Sequence, residues 1–491
     1  MALEALMLPF GHSKSGIPHH ATPSRLSTAT SINPQRVLLS SRTQIDRFDG
    51  GLSGIAGARE IIRDISSRRT VTKLVLGHND LGDDGTVLLF TFLNSSSSRS
   101  GPIYKQTITE INLNGNAIGN KGLQAITQYL EDNSALKELT LQNNNFTGDA
   151  ETLESFASAL NRSQVRFLSL TSNPLTIPHD STRPCPVFAS SFLAKLDAPS
   201  LHELHLSALG LPRSAVPYLV DYLTSAERCR LHTFKCNGNG LGIRGMTKII
   251  RGIGEWRKGQ NFRLLKIEMY ANRAPGPDED VEEEAEEEGD GDDRSYDVRW
   301  KELEQELKAT LQRNGHLQRA VQQQALELLH HSRPMLLKST KADMLPRPSN
   351  TPQPRSLPIE LRLHILSHLA PDLSARQRIR IYDYASSPET LPDVPRVGSG
   401  TLSSSNCIPD PGSFPLGAAG TGGSHHLISP GPGSLLSGTI GSKIWDLGAG
   451  HGAFTGCANG RCMGAGNSVL CRREQQRVRW LEDVGCAAFE L

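Results

Sequence analysis

The stretch Leu74-Val75-Leu76-Gly77-His78-Asn79-Asp80-Leu81-Gly82 decides how this chain folds. Leu74 and Leu76 alternate with other residues, so in an extended segment both side chains leave by the same face. Asn79 stands just beyond, where the chain must bend. An amide turned inward there offers a donor and an acceptor to backbone groups that the bend leaves unpaired, each of which would cost ~1–3 kcal/mol if buried alone. Gly82 and Gly85 lead into the next apolar run, and glycine makes a close turn inexpensive.

The phrase recurs. Ile111, Leu113, Asn116, Ile118, Gly119 and Gly122 repeat it, followed by Leu139, Leu141, Asn144 and Phe146, then Leu168, Leu170, Asn173 and Leu175. A degenerate copy reads Leu204, Leu206, Leu209 and Leu211, with leucine in place of the asparagine. Phe234, Cys236, Asn239, Leu241, Gly242 and Gly245 restore it, and Ile267, Met269 and Asn272 open a last one. Equivalent first positions lie 37, 28, 29, 36, 30 and 33 residues apart, so the short steps define the unit and the long ones carry insertions. A weaker copy, Ile45, Arg47 and Leu52, precedes them as an edge unit. Between strands the period changes: Leu123, Ile126 and Leu130, then Phe156, Ala157 and Leu160, then Val220 and Leu223 follow helical spacing.

These units resemble the long leucine-rich repeats of the ribonuclease-inhibitor type over about residues 43 to 275. The resemblance implies an α/β solenoid with parallel strands inside and helices outside, whose concave strand face and rim loops contact another protein. The outward strand residues that would meet a partner are Lys73, Val75, Asn112, Asn114, Glu138, Thr140, Gln142, Ser169, Thr171, His205, Ser207, Lys235 and Asn237. They are mixed polar, which favours protein recognition over phosphate binding, although the same residues also serve simply to solubilise a sheet. Ser95 to Gly101 and Pro174 to Pro186 read as lengthened loops.

A net charge of +1 conceals twelve acidic residues between Asp278 and Asp293, and a globally basic nucleic-acid binder is not expected. No apolar run has the length of a membrane span and no signal-peptide pattern opens the chain, so a cytoplasmic location, with the nucleus as a further compartment, is the expectation. No serine, histidine and aspartate relay, metal-binding histidine pair or phosphate loop occurs at diagnostic spacing. No enzyme activity, cofactor or metal is therefore expected.

Beyond the acidic stretch, Trp300, Leu303, Leu307 and Leu311 form a helical stripe, resumed after Asn314-Gly315 by Leu317, Val321, Ala325 and Leu328. It reads as a terminal helix capping the solenoid, with a short coiled coil as the alternative. Repeats followed by an acidic segment also resemble Ran GTPase-activating protein, which would make Ran GTPase the partner. Leu357-Pro358-Ile359-Glu360-Leu361, followed by Ile365 and Leu369, resembles the opening of an F-box. That resemblance implies docking of a cullin-ligase adaptor through Leu357, Pro358, Leu361, Ile365 and Leu369; a hairpin packed on the solenoid explains the same residues.

The expected organisation is an N-terminal extension at 1–43, repeats at 44–275 and an acidic insertion at 276–295. A helix and cap at 296–337 and a linker at 338–355 follow. An F-box-like segment occupies 356–385, a Gly/Ser/Pro-rich linker 386–443 and a cysteine-containing tail 444–491. In that tail, Ile444 to Gly452 resembles the glycine-rich loop of S-adenosylmethionine-dependent methyltransferases, but too few residues follow for that fold. Cys457, Cys462, Cys471 and Cys486 lack the close pairing usual for zinc. Arg472, Arg473, Arg477 and Arg479 beside Trp480 read as a solvated helix face.

Overall fold

The computed structural model describes residues 43–95, 104–176, 187–257, 259–272, 296–337, 357–391 and 472–491. Pro174 to Pro186 falls largely outside these residues. The acidic stretch, the 338–355 linker, the Gly/Ser/Pro-rich linker from 392 onward, the methyltransferase-like segment and Cys185, Cys407, Cys457, Cys462 and Cys471 lie outside them.

Eight three-residue strands appear among the described residues: β1 (Gln44–Asp46), β2 (Lys73–Val75), β3 (Glu110–Asn112), β4 (Glu138–Thr140), β5 (Phe167–Ser169), β6 (Glu203–His205), β7 (Thr233–Lys235) and β8 (Lys266–Glu268). They form one parallel sheet in chain order. Each central residue points inward: Ile45, Leu74, Ile111, Leu139, Leu168, Leu204, Phe234 and Ile267 are all buried. The returning segments are α1 (Gly54–Ser66), α2 (Gly82–Asn94), α3 (Asn120–Leu130), α4 (Ala150–Arg162), a π-helical turn at Ala189–Leu193, α5 (Val216–Thr224) and α6 (Gly242–Gly254). Strand layer and helix layer enclose one continuous apolar core from Ile45 to Leu307.

The bend after each strand is built the same way. One residue enters the left-handed region in every unit: Asp49, His78, Gly115, Asn143, Ser172, Ala208, Gly238 and Ala271. The next residue is the inward asparagine in six of the eight units, with Gly50 in the first and Leu209 in the sixth. Asn144 Nδ2 donates to the carbonyls of Leu113 and Leu141, both at 3.0 Å, while its Oδ1 accepts from Asn116 N at 3.0 Å and Ile118 N at 3.2 Å. Asn79, Asn173, Asn239 and Asn272 make equivalent bonds. Leu209 interrupts the ladder, and there the Thr176 hydroxyl donates to the Leu209 carbonyl at 2.7 Å.

Contacts between units also fix the helix layer. A Cβ on Gly85 would lie 2.5 Å from the Gly54 carbonyl oxygen, so a side chain there would force α1 and α2 apart. Asp83 of α2 accepts from Gly119 N at 2.8 Å and Gly122 N at 2.7 Å, capping α3 from the preceding repeat.

The last unit is followed by α7 (Tyr296–Leu336), a single helix that runs straight through Asn314-Gly315, where the sequence reads as an interruption. Asn314 is fully buried and donates to the Leu264 carbonyl at 3.0 Å, so the polar residue that looks like a breaker is anchored to the last repeat. Leu303 and Leu307 complete the solenoid core, and Arg313 Nη1 donates to Gly254 O at 2.8 Å at the end of α6.

The second half of α7 enters another core with α8 (Ile359–Ser367), α9 (Ala375–Ser386) and α10 (Arg472–Asp483). Val321, Ala325 and Leu328 meet Leu366, Ile381, Trp480, Val484 and Cys486 there. Gln377 Nε2 ties α9 to the end of the chain, donating to Gly485 O at 2.8 Å and Ala488 O at 2.9 Å. One expectation is thereby corrected. The α8–α9 hairpin packs on α7 and α10 and not on the solenoid, because the apolar partners lie on those helices. On α10, Arg479 stays exposed while Trp480 and Leu481 turn inward.

A candidate protein-binding surface

On the concave face the strand residues flanking each buried centre form two rows, and the residue two beyond each strand end forms a third. The register places Lys73, Glu110, Glu138, Phe167 and Glu203 side by side in the first row. Val75, Asn112, Thr140, Ser169, His205 and Lys235 make the second. Asn114, Gln142, Thr171, Ser207 and Asn237 follow in the third.

Most of the expected contact residues are open or half-open here: Lys73 and Glu138 are exposed, and Val75, Asn112, Asn114, Thr140, Gln142, Thr171, His205, Ser207, Lys235 and Asn237 are partly exposed. Ser169 is the exception. It is fully buried, and its hydroxyl accepts from Gln142 Nε2 at 2.9 Å, so it supports the surface from beneath. Glu110, Phe167 and Glu203 lie outside the expected set, which takes in the residue before the inward leucine only at Lys73 and Glu138; stepping one residue back from Ile111, Leu168 and Leu204 locates them.

Charge on this face is unevenly compensated. Lys73 pairs with Glu110, and that hydrogen bond holds the ammonium above its ordinary pKa. At the other end Lys266 lies 2.7 Å and Lys235 4.0 Å from Glu268. Burial alone would raise the Glu268 carboxyl, but the Lys266 hydrogen bond and the two ammonium charges outweigh it and hold the group below its usual value. In the middle, His205 Nε2 is 2.7 Å from Glu203 Oε1, and its ring meets Phe167 edge-on at 4.9 Å. Glu138 has neither ion pair nor side-chain hydrogen bond among the described residues. Partial burial first, and the neighbouring Glu110 charge second, push its carboxyl pKa upward. The middle of the sheet thus presents an aromatic ring between two carboxylates, one of them unpaired.

A family model described as Leucine Rich repeat matches residues 68–90 and 104–126, which are the β2–α2 unit and the entry to β3–α3. This is a leucine-rich repeat fold. The matched segments contain Asn79 and Asn116 and the Gly85 and Gly122 contacts that set the spacing of α1, α2 and α3. A comparison with curated proteins gives no match.

Of the cysteines, Cys229, Cys236 and Cys486 are described; all three are free and buried, and burial pushes each thiol up to about 12. No group of three or more metal-ligating side chains is gathered among the described residues, and no described helix is long and apolar enough to cross a membrane. On the rim where chains enter the strands, His202 and His232 stack with centroids 4.9 Å apart.

Proposed function

We propose that this chain is a non-catalytic scaffold that holds a protein partner on the concave face of its repeats. The observation that carries this reading is the central triplet Glu138, Phe167 and Glu203: an aromatic anchor flanked by carboxylates on three adjacent strands of a rigid sheet. Aromatic groups set on rigid elements lose little entropy on binding, and an unpaired carboxylate is complemented by a partner's cation. Recognition would draw on Asn112, Asn114, Thr140 and Gln142 to one side and His205, Ser207, Lys235 and Asn237 to the other, with no covalent intermediate. The test is quantitative proximity labelling with the full-length protein and with the Phe167→Ala/Glu138→Ala variant. Loss of a reproducible partner set in the variant supports the reading, and unchanged labelling refutes it.

One observation favours a second reading, as receptor of a cullin-type ubiquitin ligase. Leu357, Leu361, Ile365 and Leu369 are 37–50% exposed on and beside α8, so the apolar residues that resemble an F-box are not taken into the core formed by the described residues. Pro358 stands at the N-terminal end of that helix, as it would in such a module. Failure of a ligase adaptor to co-purify with the intact protein removes this reading. A Ran-stimulating activity rests on the acidic stretch, which lies outside the described residues, and no structural observation adds to it.

A further inference from the structure

The exposed face of α8 contains two histidines as well as apolar groups. Leu361, His364, Ile365 and His368 are spaced at i, i+3, i+4 and i+7, which places them on one side of the helix. The opposite side is anchored: Leu366 is fully buried in the second core, and Arg362 Nη1 donates to Met335 O at 2.6 Å. The face is therefore held rigidly outward.

His364 and His368 stand with Nε2 atoms 3.4 Å apart and rings at 82° to one another. Neither imidazole has another partner among the described residues. Two Zn–N bonds of ~2.0–2.1 Å at the tetrahedral angle separate their nitrogens by about 3.3 Å, so the spacing across this imidazole hydrogen bond matches that of two ligands on one tetrahedral divalent metal. Yet the described residues gather no third ligand, and a structural zinc takes four.

Contrary to the expectation from sequence that no histidine pair binds metal, we propose that His364 and His368 are half of a zinc site, completed by the same pair from a second copy of this chain. A two-fold axis through the metal supplies four imidazole nitrogens, and two-fold dimers are the commonest symmetric assembly. The same operation brings Leu361 and Ile365 of one copy against those of the other, removing from water the apolar groups that this chain leaves exposed. The histidines distinguish this occupant from a ligase adaptor, whose docking through the apolar residues has no use for a metal bite. The inference is independent of the concave surface and of what binds there.

The experiment uses full-length protein stripped with chelator and titrated with zinc chloride, followed by sedimentation velocity and calorimetry. Expected is a monomer without metal, a dimer with one zinc per two chains at this site, and reversal by chelator. His364→Asn and His368→Asn each remove a ligand from an exposed position and leave the circular dichroism spectrum unchanged, while weakening zinc-driven dimerisation by at least about tenfold. Leu361→Asp leaves both histidines in place but opposes pairing. A dimer that forms equally with and without zinc, a zinc-loaded monomer, or dimerisation unaffected by the histidine substitutions overturns the proposal.

Discussion

Asn314, midway along the terminal helix, donates its amide to the carbonyl of Leu264, the residue two before the last strand, across 3.0 Å. Fifty residues separate them in sequence. The helix thereby pairs a buried backbone carbonyl at the far end of the repeats.

Removing that amide with Asn314→Leu should leave the Leu264 carbonyl buried and unpaired and lower stability by ~1–3 kcal/mol. Leu307→Ala, which empties a position in the solenoid core, should cost about 2–5 kcal/mol. Urea denaturation followed by circular dichroism checks both. Repeats that melt at the wild-type midpoint in Leu307→Ala would show that α7 is not a cap.

The ladder itself predicts a steeper penalty. Asn144→Leu strips partners from the carbonyl of Leu113 and from the amides of Asn116 and Ile118, while the carbonyl of Leu141 keeps Asn173 Nδ2 at 2.9 Å. A loss above about 3 kcal/mol follows, because several backbone groups are orphaned at once. Asp83→Ala, which uncaps α3 but leaves the strand bends intact, should cost only about 1 kcal/mol. Equal midpoints for the two variants would contradict this ranking.

Acid should destabilise the repeats through His202 and His232. Burial, aided by the Arg166 and Arg263 charges, lowers His202 to about 4; burial, His202 and Arg263 lower His232 to about 3. Both bind protons more readily once unfolded, where histidine titrates near ~6.5. The stability they contribute is therefore complete above that value and is lost as pH falls from there through the folded values. Denaturation midpoints measured between pH 7 and pH 4 should decline, and a His202→Gln/His232→Gln variant should decline less steeply over the same range.

Glu138 has the opposite sign. Its folded pKa is raised, so the folded chain favours the protonated group: that contribution is complete below the unfolded pKa and is lost as pH rises through the folded one. Glu138→Gln should be slightly more stable than wild type at pH 7 and indistinguishable from it near pH 3, as thermal melts would show. The same variant should bind the partner less tightly, which separates a carboxylate kept for recognition from one kept for folding.

How far these features can be read from the chain depends on whether the contact is local. Leu74, Leu76 and Asn79 announce a unit because strand, bend and ladder are all written within a few residues and then repeated. The second core carries no such repetition. Trp480, Leu481 and Val484 sit among arginines and glutamates, and their burial rests on partners such as Gln377, which reaches Gly485 and Ala488 from more than a hundred residues away. Asn314-Gly315 misleads for a related reason, since a buried asparagine resembles a breaker until its acceptor is known. On the concave face Glu138 was recoverable by counting from Leu139. Phe167 required attention to the residue before each inward leucine, and the pairing that leaves Glu138 without a counter-ion emerges only from the register.

The uninterrupted course of α7 has a mechanical consequence. At 41 residues and 1.5 Å per residue it is a strut about 60 Å long, with one end sunk in the repeats and the other in the helical module. A flexible tether would let the two ends sample many separations and dilute each with respect to the other. A strut holds the exposed face of α8 at a set reach and bearing from the concave sheet, so that two molecules bound at the two places would be presented to each other in a single arrangement.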